Sequence, residues 1–346
     1  MSRPGRRPLD MTNGQVDMSH GAGGRSMAQL IEELFFDAFD SPALNREHDA
    51  ALLPRPDGRI VISTDSFVVS PLFFPGGDIG KLAVCGTVND IAMGGGVPAY
   101  LTAGFILEEG FPLADLKRIV MSMARTAREA GVAIVSGDTK VVEKGHGDGV
   151  YINTAGVGTV PDGIEIGGDR ARPGDVILIN GPIGDHGVAI MSKRENLSFG
   201  SEIESDCQPL ADLTAAMLSA VPEIRVLRDP TRGGLGATMN EIAQQSGVGI
   251  ELTEATIPVR REVQSACELL GLDPLYVANE GKLIAICPPD RADALLAAMK
   301  AHPRGRDAAV IGRVLDDDRR FVRMLTGFGG TRMVDWMAGE QLPRIC

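Results

Sequence analysis

Short apolar, β-branched runs alternate with helical stretches along the whole chain, and this alternation limits the possible folds more than any other feature of the sequence. Arg59-Ile-Val-Ile-Ser-Thr64 reads as a buried strand ending at Asp65, and Val132-Ala-Ile-Val135 as a short strand running into Ser136-Gly-Asp-Thr-Lys140. Tyr100 to Leu107 and Val150 to Val160 are further strands. Ahead of them, Met27, Leu30, Ile31, Leu34 and Phe35 recur at helical spacing behind the glycine-rich stretch Gly21 to Gly24. A Pro/Gly loop at 75–77 leads into a helical run from Asp78 to about Met93, and Pro112 opens an amphipathic helix reaching about Ala130. The second half repeats the alternation, with strands expected at 175–180, 249–253, 282–287, 308–314 and 320–325 and helices near 208–219, 234–246, 260–270 and 290–300. Both halves are therefore α/β or α+β.

A chain of 346 residues exceeds what one core ordinarily organises, so two domains are expected. The turn-rich stretch 161–174 is the candidate boundary, placed near Gly167. This divides the chain into a disordered extension at 1–17, a first domain at 18–166, a second at 167–330 and a mobile tail at 331–346, with Trp336 anchoring the start of the tail. No apolar run reaches the roughly 20 residues that cross a bilayer, and the opening arginines precede no apolar stretch, so no membrane is expected as a partner. The net charge of −12 argues against nucleic acid. Five widely spaced cysteines, an odd count without a CxxC pair, fit a reducing cytoplasm better than a disulfide framework or a structural zinc site.

Two constellations carry chemistry. Asp49, Asp65, Asp90 and Asp138 are carboxylates, three of them close beside small residues at expected element ends, and such groups suit magnesium (Mg2+), a hard ion that takes oxygen ligands and bridges to nucleotide phosphates. Each alone is better read as a helix cap or a turn aspartate; four in one half, beside glycine loops, shift the balance. The second constellation is phosphate-binding: His20-Gly-Ala-Gly-Gly-Arg25 with Gly23 and Gly24, Gly76-Gly-Asp-Ile-Gly-Lys81, and Asp229-Pro-Thr-Arg-Gly-Gly234. None matches a P-loop or a dinucleotide fingerprint.

In this order, these residues resemble the superfamily of aminoimidazole ribonucleotide synthetase, selenophosphate synthetase and thiamine-monophosphate kinase, and within it the HypE family of hydrogenase maturation factors. The resemblance rests on Ser19-His-Gly-Ala-Gly-Gly-Arg25, Thr64-Asp-Ser-Phe67, Phe74-Pro-Gly-Gly-Asp-Ile-Gly-Lys81, Val88-Asn-Asp-Ile-Ala92, Gly137-Asp-Thr-Lys-Val-Val142, Gly184-Asp-His-Gly187, Asp229-Pro-Thr-Arg-Gly-Gly-Leu235, Ala278-Asn-Glu-Gly-Lys282 and the terminal Pro343-Arg-Ile-Cys346. The acidic motifs are common to the superfamily, and the terminal tetrapeptide singles out the HypE family.

The resemblance implies a two-domain fold, paired through the sheets of the first domain into a homodimer. It implies that a carbamoyltransferase (HypF-like) loads a carbamoyl group on Cys346, that ATP drives its dehydration to a thiocyanate, and that an iron-carrying complex (HypC-HypD-like) receives the cyanide. Carried over by motif, Asp49, Asp65, Asp90 and Asp138 become magnesium ligands, and Gly23, Gly24, Lys81, Asn89, Thr139 and Arg232 line the nucleotide. Lys140 becomes a phosphate contact or active-site cation, and Glu280 the base. Read from its neighbours alone, Glu280 is a charge in an exposed turn and Cys346 an incidental thiol, while His186 and Arg232 have capping roles as readily as site roles. A small-molecule kinase of the thiamine-monophosphate kinase type would use the same aspartates and leave the terminal cysteine idle. A nucleotide-sensing scaffold would bind ATP without turning it over.

Overall fold

The computed structural model describes residues 8–46, 50–54, 57–196, 203–337 and 344–346. The first half is a four-stranded sheet carrying helices on one face. Its helical lead-in is α1 (Arg25–Leu30), continued through a π-helical turn at Ile31–Phe36 into α2 (Asp37–Phe39). Then come β1 (Arg59–Phe67), a small hairpin of β2 (Phe73–Phe74) and β3 (Gly77–Asp78), and α3 (Ile79–Met93). They are followed by β4 (Val97–Glu108), α4 (Leu113–Glu129), β5 (Ala133–Val142) and β6 (Val150–Val160). The strand order is β1-β6-β4-β5, with β4 and β5 parallel and the other pairs antiparallel.

Alternation decides the two faces. Phe67, Leu101, Phe105, Leu107 and Ile152 turn toward α3 and α4, where Leu82, Leu116, Ile119 and Met123 close a fully buried core. The intervening residues of the same strands stay open, with Ile60 at 60%, Ile62 at 68%, Val97 at 51% and Ile106 at 45% exposure. The strand expected to be buried up to Asp65 is thus half-buried. Both β1 and β5 also run straight through their aspartates, because β6 pairs with β1 from Arg59 to Phe67 and β4 pairs with β5 as far as Val142.

The second half holds β7 (Val176–Ile179), α5 (Asp185–Arg194), α6 (Ala211–Ala220), β8 (Val226–Arg228), α7 (Gly234–Ser246) and β9 (Gly249–Thr253). It continues with α8 (Arg261–Leu270), β10 (Ile284–Cys287), α9 (Ala292–Ala301), β11 (Ala309–Leu315), β12 (Val322–Leu325) and β13 (Thr331–Met333). The seven strands lie in the order β13-β12-β9-β11-β7-β10-β8. Ile177, Ile179, Ile284 and Ile286 face α7, while Leu178, Ala285 and Cys287 face α6 and α9. Covering on both faces explains why these strands read as unbroken apolar runs. Residues 331–334 belong to this sheet, since β13 pairs with β12 and Val334 is buried, so the segment expected to be loose begins later. Its stretch 338–343 lies outside the described residues.

Helices α5 and α8 join the first core instead of the second. Val188, Ile190, Val263 and Ala266 pack into the cluster that contains Phe67 and α3, and the tail residue Ile345 joins them. Neither half is closed without the other along this seam.

Candidate active site

Close approach of α3 to β1 creates the first part of the site. A Cβ on Gly86 would sit 2.8 Å from the Phe67 ring, so only glycine lets the helix lie this near the strand. Asp65 of β1 and Asp90 of α3 then face one another. Burial raises the Asp65 carboxyl, opposed by its bond to the Ser66 N–H and by the Arg232 guanidinium. Burial also raises Asp90, and Asp65 raises it further, while the Ser63 hydroxyl, donating at 2.6 Å, works against both. Asp229, just past β8, supplies a third carboxylate from the second domain. Burial pushes it up to about 7, and Asp90 and Asp65 contribute repulsion. Among the described residues no three His, Cys, Asp or Glu side chains already stand close enough to hold a metal ion by themselves. The trio is instead a set of hard oxygens whose carboxyls stay raised although Arg232 and Arg228 offset part of the cost, which fits a cation completed by further oxygen ligands.

Glu280 lies beside this trio and is 4% exposed, not in an open turn. A Cβ on Gly281 would fall 1.8 Å from the Asp206 carbonyl, so glycine is required where the 280–282 segment crosses the Asp206 loop. The Glu280 N–H donates to Asp206 Oδ1 at 3.0 Å, and Lys282 Nζ lies 3.0 Å from Asp206 Oδ2. Burial works to raise Asp206, but Lys282, His186 and the Glu280 N–H hold it low. Among the described residues no such cation is set against Glu280. Burial pushes its carboxyl well above the usual range, and Cys207, Asp229, Asp206 and Asp65 push it further, leaving a protonatable group aimed among acids.

The chain's last residues reach the same seam. Val68, one residue past β1, donates its N–H to a terminal carboxylate oxygen of Cys346 at 3.2 Å, and Ser70 donates to the Arg344 carbonyl at 3.2 Å. Three residues of strand separate Asp65 from Val68, about 10 Å. Cys85, Cys207, Cys267 and Cys287 are buried, whereas Cys346 is only partly so.

The other expected residues lie elsewhere. Asp138 is exposed on β5, and Lys140 Nζ donates to its two oxygens at 2.7 and 2.6 Å, which holds it below the ordinary carboxylate range. β5 and β1 are opposite edges of the sheet, about 14 Å apart across three strand spacings. Asp138 also points from the uncovered face, so within one chain it does not join Asp65 and Asp90, and the expected four-aspartate cluster does not form there. Thr139 is buried beside it and lines a small cavity of about 90 Å³ with Phe35 and Phe105. Gly23 and Gly24 are exposed, and Gly21 of the same loop packs on Val141 of β5, so this loop belongs with the Asp138–Lys140 edge.

Lys81 donates to the Gly76 carbonyl at 2.9 Å and stands nine residues before Asp90 on α3, about 13 Å along the helix axis. Asn89 is engaged at both ends, donating to the Gln208 carbonyl at 3.1 Å and accepting from the Leu210 N–H at 2.7 Å. It fastens α3 to the second domain instead of facing open space. Asp49 lies outside the described residues. The sequence reading did not single out Asp206 or the Lys282 ammonium, and it took Asp229 only as the start of a phosphate loop. Asp229 bears the signal that marked Asp65, an aspartate closing an apolar run. Asp206 bears none, since 74 residues separate it from Glu280.

Similarity to known proteins extends over both halves of the chain. The AIR synthase related protein N-terminal domain matches residues 47–160 and the corresponding C-terminal domain matches residues 172–324. Carbamoyl dehydratase HypE of Azotobacter vinelandii is 67% identical over 338 residues, covering 98% of this chain and 99% of that protein. A crystal structure of hydrogenase maturation protein HypE in complex with ATP superposes with a TM-score of 0.92 at 50% identity, over 95% of this chain and 99% of that one. HypE in a HypE-HypF complex superposes with a TM-score of 0.79 at 52% identity, over 89% and 99% of the two chains. A thiamine-monophosphate kinase of Stenotrophomonas maltophilia, with a TM-score of 0.64 at 18% identity over 88% of this chain and 96% of that one, shares the fold. By sequence and by fold, the chain belongs to the carbamoyl dehydratase HypE family of the AIR synthase related proteins.

Proposed function

We infer that this chain uses ATP to dehydrate a carboxamide carried on the Cys346 sulfur to a thiocyanate, the source of cyanide for a hydrogenase iron centre. The observation that supports this reading is the position of the terminal cysteine, whose carboxylate is held by the Val68 N–H, three residues beyond Asp65, at the seam between the two halves of the chain. A kinase acting on a free small molecule leaves that placement without a purpose, and a scaffold that only senses nucleotide leaves Glu280 without one.

The chemistry balances with ATP alone. The carboxamide oxygen attacks the γ-phosphorus and ADP leaves; the nitrogen gives up one proton as the C–O–P linkage forms. Loss of the second N–H proton, with cleavage of the C–O bond, yields the nitrile and phosphate, and the amide oxygen departs on phosphate. An amide oxygen is a poor leaving group until it is phosphorylated, and the nitrogen's protons need an acceptor. Glu280 is that acceptor once ionised: the burial that raises its carboxyl gives the carboxylate a higher proton affinity than an ordinary one, and the same burial excludes water that would hydrolyse the phosphorylated intermediate. Asp65, Asp90 and Asp229 would hold magnesium together with phosphate oxygens, and that ion would neutralise charge on the transferring phosphoryl group.

Arg232, whose charge acts on Asp65, would contact the nucleotide phosphates. Asp138 and Lys140 share a face with Ile60, Ile62, Val97 and Ile106, an apolar surface that a second copy of the chain would cover. A homodimer built on that face changes the surroundings of Lys140, Thr139 and the Gly23–Gly24 loop far more than those of Asp90. Loading of Cys346 by a HypF-like carbamoyltransferase, and delivery of cyanide to a HypC-HypD-like iron carrier, complete the scheme. Five free cysteines fit a cytoplasmic setting. Among the described residues no helix is long and apolar enough to cross a membrane.

Mass spectrometry of the C-terminal peptide, after incubation with the carbamoyltransferase, carbamoyl phosphate and ATP, tests the whole reading. The expected course is the mass of an added carboxamide, followed by the same mass less one water. Cys346→Ala should bind ATP normally and show neither product. A wild-type Cys346 that stays unmodified under these conditions would return the chain to the kinase class.

A further inference from the structure

The main-chain oxygens of the last three residues are all held, and one helix supplies two of the donors. His186, in the first turn of α5, is completely buried, and its Nε2 lies 2.8 Å from the Ile345 carbonyl. A carbonyl only accepts, so Nε2 bears the proton, and Nδ1 accepts from the Ser205 hydroxyl at 2.8 Å. The Ser205 oxygen accepts in turn from the Cys207 N–H at 3.0 Å. The chain of donors runs one way, from the Cys207 amide through Ser205 and the imidazole to the tail, and each bond polarises the next. Burial lowers the His186 pKa, in keeping with a neutral ring in a single tautomer.

Arg194, at the other end of α5, donates through Nη2 to the Arg344 carbonyl at 2.9 Å and to the Ser70 carbonyl at 2.7 Å. With Val68 on the terminal carboxylate, the C=O groups of Arg344, Ile345 and Cys346 are each held. Arg344 adds an ion pair with Asp148 at 2.8 Å, and Ile345 is 3% exposed. These bonds are made to main-chain oxygens and by the Arg344 side chain, not by the Cys346 sulfur.

We propose that His186 and Arg194 form a latch that docks the C-terminal tripeptide by its main-chain oxygens, and that His186 is a positioning residue for the dehydration of the group on Cys346. The second part rests on the function proposed above. The same Ser205-Asp206-Cys207 segment that orients His186 also takes the Glu280 N–H on Asp206. One loop therefore sets both the carrier of the substrate and the base that acts on it. Loading by a partner needs the tripeptide undocked, and dehydration needs it docked, so loosening the latch should affect the two steps oppositely.

The test uses the full-length chain and a thiol reagent such as dithiobis-nitrobenzoate, which reads Cys346 because the other four cysteines are buried. In His186→Ala and Arg194→Gln, labelling of Cys346 should quicken roughly five- to tenfold, the value of one or so lost hydrogen bonds. His186→Gln, whose amide can still donate toward Ile345, should recover part of the wild-type protection. In single turnovers from carbamoylated protein, dehydration should slow by a similar factor, while ATP affinity and the rate of carbamoylation do not fall. Unchanged labelling in folded Arg194→Gln and folded His186→Ala overturns the latch. If His186→Ala does not fold, Arg194→Gln and Ser205→Ala decide it by the same criterion. Faster labelling with undiminished dehydration overturns the positioning role. Failure of wild-type Cys346 to accept a carbamoyl group would instead overturn the functional reading, and the labelling result would still stand or fall by itself.

Discussion

Asp90 and Asp138 share a local signature, an acid beside small residues next to an apolar run, yet their surroundings are opposite. Asp90 stands against Asp65 and Asp229 in a partly closed seam, and its carboxyl is raised by burial and then by repulsion from Asp65. Asp138 is exposed and already paired with Lys140, which pulls it below the ordinary range. At the first set the nearby Arg228 and Arg232 do not outweigh burial and repulsion, whereas at Asp138 the bonded Lys140 does. The difference teaches that a metal or phosphate site is marked less by the number of acids than by whether their charge is left uncompensated.

Four measurements press on that contrast, from the largest expected effect downward. Glu280→Gln keeps shape and removes the base from the uncompensated side, so dehydration should fall by about 10²- to 10⁴-fold while ATP affinity stays within a few-fold. The carboxamide form of Cys346 should accumulate on mass spectra; normal thiocyanate yield would reduce Glu280 to a structural residue. Asp90→Asn and Asp229→Asn should each weaken magnesium-dependent ATP binding by roughly 10- to 100-fold, as removal of a supporting group at a metal site commonly does. Calorimetry with and without magnesium would read this, and equal affinities would take both residues out of the site.

The third measurement is of stability against pH in protein free of metal and nucleotide. The folded-state pKa of Asp229, about 7, is above its ordinary value of 3.8, so between these limits the folded chain binds the extra proton. Stability should therefore fall as pH rises from about 4 to 7, and Asp229→Asn should flatten that part of the curve and melt higher than wild type at pH 8. A variant curve parallel to the wild type would show that the carboxyl is not raised. The smallest effect belongs to Asp138→Asn. Its ion pair is exposed and screened, so folding stability should change by less than about 1 kcal/mol. ATP affinity should fall less than in Asp90→Asn when copies of the chain are kept apart by dilution. A loss as large as that of Asp90→Asn in dilute, monomeric protein would break the contrast.

Much of the architecture was legible locally. The strand Val150–Val160 and the helix Gly234–Ser246 lie where their periodicity put them, and the helices Ile79–Met93 and Leu113–Glu129 differ from expectation by a residue at their ends. The site was legible in part: Asp65, Asp90 and Glu280 come together. Other features left no local mark. Helix α5 is only ten residues long, with Gly187 inside it and four apolar residues in a row after it, so neither period stands out. It forms because Val188 and Ile190 fill the first core, and it was read only as a motif.

What the sequence determined by itself was therefore most of the longer helices and strands, the two-domain plan and the motif of the terminal cysteine, because periodicity, turn chemistry and motif spacing are properties of neighbouring residues. Which acids meet was decided by the tertiary structure alone. So was the course of β1 and β5 through their aspartates, and so was the seating of the tail. His186 and Ile345 are 159 residues apart, and Asp65 faces Asp90 only because Gly86 lets a helix press against a strand. Charge compensation and burial depend on such distant contacts, and no short window of sequence contains both partners.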